Sequence, residues 1–128
     1  MVLLDTCTLL WWTLDPAKLS AVAADACRRI KFDGGCISSI SIWEIGLKHK
    51  RGTYDLGMTL AEFAEGVAEI DGLEIVPVDT AIWIANIGLV WPHADPADRT
   101  IVATAQLRDI PIVTCDAMIQ AYYPRTIW

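Results

Sequence analysis

The chain has 128 residues, 54% of them hydrophobic, enough to close one core of useful size and too few to build a second. A formal net charge of −6 excludes a protein that coats nucleic acid by bulk electrostatics, while leaving room for an enzyme that touches a few phosphates locally. No apolar run approaches the ~18 residues of a membrane span, and the N-terminus lacks the basic region and cleavage site of a signal peptide, so a cytoplasmic chain without membrane contact is expected.

Val2-Leu3-Leu4 reads as a short buried strand that stops at Asp5. Residues 8–14 (TLLWWTL) follow as a short buried helix, closed by Asp15-Pro16 because a residue before proline is driven out of the helical region. A second helix is expected over 19–31, with Arg28, Arg29 and Lys31 near the end where cations suit the dipole, and Gly34-Gly35 breaks it. Residues 36–40 form a second strand candidate and lead into a helix over 41–51 that stops at Gly52. Thr59 caps the next helix, with Glu62 in the capping-box position and Leu60, Phe63, Val67 and Ile70 on one face. Leu73 to Val76 is a third strand candidate. Residues 80–90 are helical again and end before Pro92, and Pro96 opens a helix buried through Ile101, Val102, Ala105 and Leu107. Ile110 to Cys115 forms a fourth strand that stops at Asp116, and residues 126–128 close the chain as a short strand.

Strands alternating with helices predict right-handed crossovers and a mainly parallel sheet covered on both faces, an α/β domain spanning residues 1–128. Cys7, Cys27, Cys36 and Cys115 follow no CxxC spacing and are expected as reduced core residues. Trp11, Trp12, Trp43, Trp83, Trp91 and Trp128 are expected mostly in the core, with the apolar excess leaving some for a dimer or partner interface.

Sixteen acids are present, so position against apolar surroundings has to choose among them. Asp5 and Asp116 each stand at the C-terminal tip of a buried strand, the edge of an open parallel sheet where ligands bind. Glu44 lies among Ile40, Ile42, Trp43, Ile45 and Leu47, in a helix with little polar face, where a carboxylate needs a partner. That partner is either Lys48 four residues on or the same sheet edge as Asp5. Asp98 sits in the first turn of its helix, where it complements the dipole, and Asp95 before Pro96 is a helix cap or a further ligand. Such carboxylates gathered in one crevice repel one another unless protons or cations lie between them, and oxygen-only ligands favour Mg²⁺ or Mn²⁺ over Zn²⁺.

The series LLDTCTLLWW at 3–12, SSISIWEIGLKHKRG at 38–52, DPADRTIVATAQ at 95–106 and IVTCDAMI at 112–119 resembles the PIN-domain ribonucleases, specifically the VapC-type toxins of type II toxin–antitoxin pairs. Each motif alone is weak, but four in order span essentially the whole chain. The resemblance implies a three-layer α/β/α fold with a mainly parallel sheet, and a Mg²⁺- or Mn²⁺-dependent endoribonuclease whose four acids are Asp5, Glu44, Asp98 and Asp116. Thr6 and Thr114 match the hydroxyl residues beside the first and fourth acids. It also implies an RNA substrate, transfer RNA or another structured RNA, and a cognate VapB-type antitoxin that wraps the domain and blocks the site, in a homodimer or a larger hetero-oligomer. Two positions depart from the pattern, Cys7 for a small polar residue or His and Ile119 for an aromatic; neither removes a carboxylate.

Lys48, His49, Lys50 and Arg51 form the one dense basic run, read either as a solvated helix end or as phosphate contacts. Lys48, Lys50, Arg51 and Arg99 are accordingly the candidate RNA-binding residues. His49 and His93 are too few and too far apart for a His-based nuclease or a zinc site. Two other functions compete: a catalytically silent module of the same fold that acts only through its antitoxin, and a phosphatase with Asp5 as nucleophile, which the absence of an acid at position 7 disfavours.

Overall fold

Five strands and eight helices alternate in the computed structural model, which describes all 128 residues. The strands are β1 (Val2–Leu4), β2 (Gly35–Ser38), β3 (Leu73–Val76), β4 (Ile112–Val113) and β5 (Thr126–Ile127). They form one all-parallel sheet in the order β3-β2-β1-β4-β5, with Leu3 paired to Cys36 on one side and to Ile112 on the other. The helices are α1 (Thr6–Leu14), α2 (Ala21–Arg28), α3 (Ile30–Asp33), α4 (Ser39–Lys50), α5 (Leu60–Ala68), α6 (Thr80–Gly88), α7 (Pro96–Arg108) and α8 (Ala117–Tyr122), with a 3₁₀ turn at Pro16–Lys18.

Alternation along the strands divides the interior into two layers of core. Leu3, Cys36 and Ile112 face a cluster completed by Ile82 of α6, by Ile101, Val102 and Ala105 of α7 and by Ile119 of α8. Their neighbours Leu4, Ile37 and Val113 face the opposite cluster, built with Leu9 and Leu10 of α1, Cys27 of α2, Ile30 of α3 and Phe63 and Val67 of α5. Helix α4 feeds both, through Ile40 and Ile45. This is the expected three-layer α/β/α arrangement.

Capping moves several boundaries from their expected places. Ser38 Oγ accepts from the Ile40 amide at 3.3 Å, so α4 begins at Ser39 and the strand expected over 36–40 ends two residues early. The helix expected over 19–31 divides: Ser20 caps α2, Arg29 stands between α2 and α3, and the chain turns out of α3 at Gly34 with φ of 82°. Helix α8 is additional to the expected elements, although its cap is visible in the sequence as Asp116. Four of the six tryptophans lie in or against the core, with Trp11, Trp12 and Trp128 partly buried on its second cluster. Only Trp91 is buried, while Trp43 and Trp83 are about half exposed. Leu107 is exposed as well, and Cys7 and Cys115 are half-buried, leaving Cys27 and Cys36 as the core thiols. No helix is long and apolar enough to cross a membrane.

Candidate metal centre

The sheet order sends the chain from β1 to one side through β2 and β3 and then across to β4 on the other, so β1 and β4 flank the point where the crossovers diverge. A crevice opens at the carboxyl ends of strands at such a point. Asp5 follows β1 directly and Asp116 comes three residues after β4. Asp5 Oδ1 accepts from the Thr8 amide at 2.8 Å, capping α1, and Oδ2 accepts from the Thr114 hydroxyl. The same Thr114 oxygen accepts from the Asp116 amide at 3.0 Å, so one hydroxyl ties the first acid to the last. Asp116 in turn caps α8, its Oδ1 accepting from the Met118 and Ile119 amides at 2.8 and 3.1 Å. Thr8 fastens α1 to β4 by donating to the Val113 carbonyl at 2.8 Å.

Two further helices bring the remaining acids. Asp95 caps α7, its Oδ1 accepting from the Ala97 and Asp98 amides, and Asp98 follows in the first turn. Asp98 Oδ2 lies 2.7 Å from His93 Nε2. Glu44 is half-buried in α4 and makes no ion pair with Lys48 within 4 Å, so the simple helix pair is not what satisfies it. Thr6 and Ser41 share a 3.0 Å hydrogen bond between hydroxyls that joins α1 to α4.

Burial pushes the Asp5, Glu44 and Asp98 carboxyls above their ordinary range, Asp98 to about 6. Beyond desolvation, the charges trace out one cluster. Asp5 is repelled by Asp116, Glu44 by Asp95 and Asp5, and Asp98 by Asp95 and Asp116. Hydroxyl and imidazole contacts and the Lys48 charge work against the rise, Thr114 and Thr8 at Asp5, Thr6 and Lys48 at Glu44, His93 at Asp98, and burial is the largest influence at each of the three. Burial pushes the Cys7 thiol beside them up to about 11, so near neutral pH it is an uncharged thiol and the anionic donors are all oxygen.

No three of these groups close on one point at ligand distance, so the acids are neighbours in charge without forming a finished cage. Asp95, Asp98 and Asp116 each keep one carboxyl oxygen without a protein donor, and Asp5 Oδ2 keeps a second lone pair beside the Thr114 bond. Repelling, partly desolvated carboxylates with open oxygens are the donor set of a hard divalent cation.

The candidate RNA contacts separate. Lys48 lies along the acids, and Lys50 and Arg51 are exposed at the end of α4. Arg99 is engaged within the fold. Its guanidinium donates to the carbonyls of Asn86, Leu89, Trp91 and His93, and Nε donates to Asn86 Oδ1, which leaves the side chain no free fork for a phosphate. His93 is the residue beside the acids that sequence reasoning misses, because two histidines make no His-based site; its spacing, two residues before Asp95 and five before Asp98 around Pro96, is the available signal.

A family model described as PIN domain matches residues 2–123. Ribonuclease VapC22 of Mycobacterium tuberculosis is 30% identical over 131 aligned residues, covering 99% of this chain and 98% of the relative. Solved structures with the same fold include a toxin–antitoxin complex from Klebsiella pneumoniae, with a TM-score of 0.66 at 21% identity, covering 100% of this chain and 97% of that one. VapBC2 from Rickettsia felis, bound to a promoter DNA fragment, also has a TM-score of 0.66, at 14% identity with both chains covered in full. FitAcB from Neisseria gonorrhoeae has a TM-score of 0.65 at 18% identity, covering 98% of this chain and 95% of that one. With a family model over nearly its whole length and an end-to-end relative, the chain belongs to the PIN-domain family, in its VapC branch.

Proposed function

We propose that the chain is a Mg²⁺- or Mn²⁺-dependent endoribonuclease, the toxin of a toxin–antitoxin pair. What supports the reading is that Asp5, Glu44, Asp98 and Asp116, drawn from four distant segments, lie close enough for their charges to act on one another, Asp116 on Asp5 and Asp98 and Asp5 on Glu44, with burial raising three of the carboxyls most. Asp5, Asp98 and Asp116 hold the cation, and Asp95 keeps its place as the cap of α7. When bound, the divalent ion supplies Lewis acidity that offsets charge building on a phosphodiester under attack by water.

The chain's own residues do the rest. Thr8 and Thr114 fix the Asp5 carboxyl so that its charge costs no reorganisation at the moment of reaction. Glu44 orients the attacking water. Lys48 meets a phosphate next to the acids, with Lys50 and Arg51 holding the flanking backbone of the RNA. With a net charge of −6, selection of transfer RNA or another folded RNA rests on local shape.

A protein partner is supported by a different surface. Trp83, Ile84 and Ile87 of α6, with Val90 after it and Trp43 of α4, are large apolar side chains left exposed, the kind of surface a protein partner covers. A VapB-type antitoxin, in a hetero-oligomer, is the partner we assign to the chain, consistent with the toxin–antitoxin complexes among its structural neighbours.

The test is cleavage of total and transfer RNA by the purified, antitoxin-free chain with Mg²⁺, with Mn²⁺ and with EDTA, beside Asp116→Asn. Discrete fragments that need both the metal and Asp116 support the reading. A folded chain that neither cuts RNA nor binds Mn²⁺ overturns it in favour of a catalytically silent module acting through its partner.

A further inference from the structure

His93 stands outside the set of acids, yet the chain builds an elaborate support for it. It lies in the segment Trp91-Pro92-His93-Ala94-Asp95-Pro96, where two prolines stiffen the backbone between α6 and α7. From the first turn of α7, Arg99 reaches back and donates to the Trp91 carbonyl at 2.5 Å and to the His93 carbonyl at 3.2 Å, pinning the loop on both sides of Pro92. The imidazole packs on the Trp91 ring with centroids 4.7 Å apart and planes at 35°. Trp91 is itself stacked on Tyr122 of α8, also at 4.7 Å, with planes at 29°. Backbone and ring are thus both held independently of any hydrogen bond that the imidazole makes.

What this support presents is Nε2, 2.7 Å from Asp98 Oδ2, with both side chains only 20% exposed. An ionised carboxylate can only accept, so Nε2–H donates to it. Oδ2 is thereby committed, and Oδ1 takes no hydrogen bond from the protein. A side chain in this position limits the rotation of the Asp98 carboxyl, as the outer partners of metal-binding carboxylates do.

We propose that His93 is the positioning residue of Asp98: its imidazole, clamped between Trp91 and the Arg99-pinned loop, fixes the carboxyl so that Oδ1 is presented to the cation. The inference rests on the reading of Asp98 as a cation ligand. Trp91 and Tyr122 act one step further back, and because Tyr122 belongs to the helix that Asp116 caps, the same stack joins the mountings of two acids.

Two substitutions in the full chain separate the hydrogen bond from the packing. His93→Phe keeps an aromatic ring on Trp91 and removes the donor; His93→Gln restores an amide donor and gives up the stack. Mn²⁺ affinity is read by calorimetry without RNA, kcat and KM on the RNA that the wild type cuts, and the melting temperature in EDTA. The expected result is a roughly 10- to 100-fold weaker Mn²⁺ affinity and a lower kcat in His93→Phe, with KM for RNA unchanged and most of both losses recovered in His93→Gln. If His93→Phe does not fold, His93→Leu carries the same comparison. Mn²⁺ binding within about threefold of wild type in the donor-less variant, or equal loss in the Phe and Gln variants, overturns the positioning role. A wild-type chain that binds no Mn²⁺ overturns this role and the metal-site reading together, whereas normal wild-type binding beside an unaffected His93→Phe overturns this role alone.

Discussion

Replacing Asp98 by Asn tests whether the acid cluster is a strained arrangement that only a cation or a proton relieves. Burial, with repulsion from Asp95 and Asp116, lifts the Asp98 carboxyl from the ordinary 3.8 to about 6 against the opposing hydrogen bond from His93. A carboxyl whose pKa is higher in the folded state binds more protons there, so its contribution is fully present below the unfolded value and is lost as pH rises through the folded one. At about 1.4 kcal/mol for each pH unit between the two values, the loss at pH 8 is at most about 3 kcal/mol; solvent reaching the side chain trims it to roughly 1–2 kcal/mol. Asn cannot ionise, still accepts from His93 and occupies nearly the same volume. In EDTA the variant therefore melts with the wild type near pH 4 and some 4–8 °C above it at pH 8, taking about 4 °C per kcal/mol for a domain of this size. Adding Mn²⁺ at a hundred times its Kd stabilises the wild type by about 2.7 kcal/mol and leaves the variant behind. Melting curves from pH 4 to 8, with and without Mn²⁺, give both readings. A variant less stable than wild type at pH 8 in EDTA, or a difference that does not grow with pH, refutes the argument.

Asp116→Asn keeps an oxygen for the α8 cap but loses the charge, so RNA cleavage falls by roughly 10²- to 10³-fold while the melting temperature in EDTA changes little. Arg99→Lys strips the planar fork from the Asn86, Leu89, Trp91 and His93 carbonyls and lowers stability by roughly 3 kcal/mol, read as a lower urea midpoint; an unchanged midpoint would show the fork to be dispensable. Gly72 has φ of +80° and an added Cβ would meet the Ile30 carbonyl oxygen at 2.4 Å, so Gly72→Ala costs roughly 2–4 kcal/mol by denaturant titration. Gly57→Ala, at φ of +68° with no atom within 4 Å of the new Cβ, costs only the backbone strain of about 1–2 kcal/mol.

The fold and the acids were legible for the same reason: both are written in short local patterns. An apolar run that ends at Asp5 or Asp116 announces a strand, its direction and the edge where it delivers a carboxylate, and the observed sheet uses both in that way. Parallel crossovers then leave few ways to order the strands. What the pattern missed depends on contacts between distant residues. Arg99 reads as a cation beside an acid, and only the turn of chain from Asn86 to His93 folded over it shows four carbonyls waiting for its donors. His93 reads as an isolated histidine until that same loop brings it to Asp98. Two tryptophans departed from expectation for another reason: hydrophobicity says that Trp43 and Trp83 avoid water, but not whether this chain or a partner covers them.

Three acids of the cluster are also helix caps, and this bears on how the fold tolerates them. Asp5 caps α1, Asp95 caps α7 and Asp116 caps α8, so three helix N-termini end at the crevice. Each such end carries the partial positive charge of its unpaired amides, up to about half an elementary charge, and sets it against the carboxylate that caps it. Capping also removes rotational freedom: the Asp95 and Asp116 carboxyls each give one oxygen to two amides, which fixes where the other oxygen lies. Glu44 has no such support, since it lies in the body of α4, and relies on Thr6 and on the charge of Lys48. Asp98, in the first turn of α7, gains from the dipole without capping the helix, and its carboxyl is held by His93 instead. The same helix starts that let the acids crowd together thus hold all but two of them in place, and the geometry of those two rests on side chains, which is where substitutions alter the site without touching the fold.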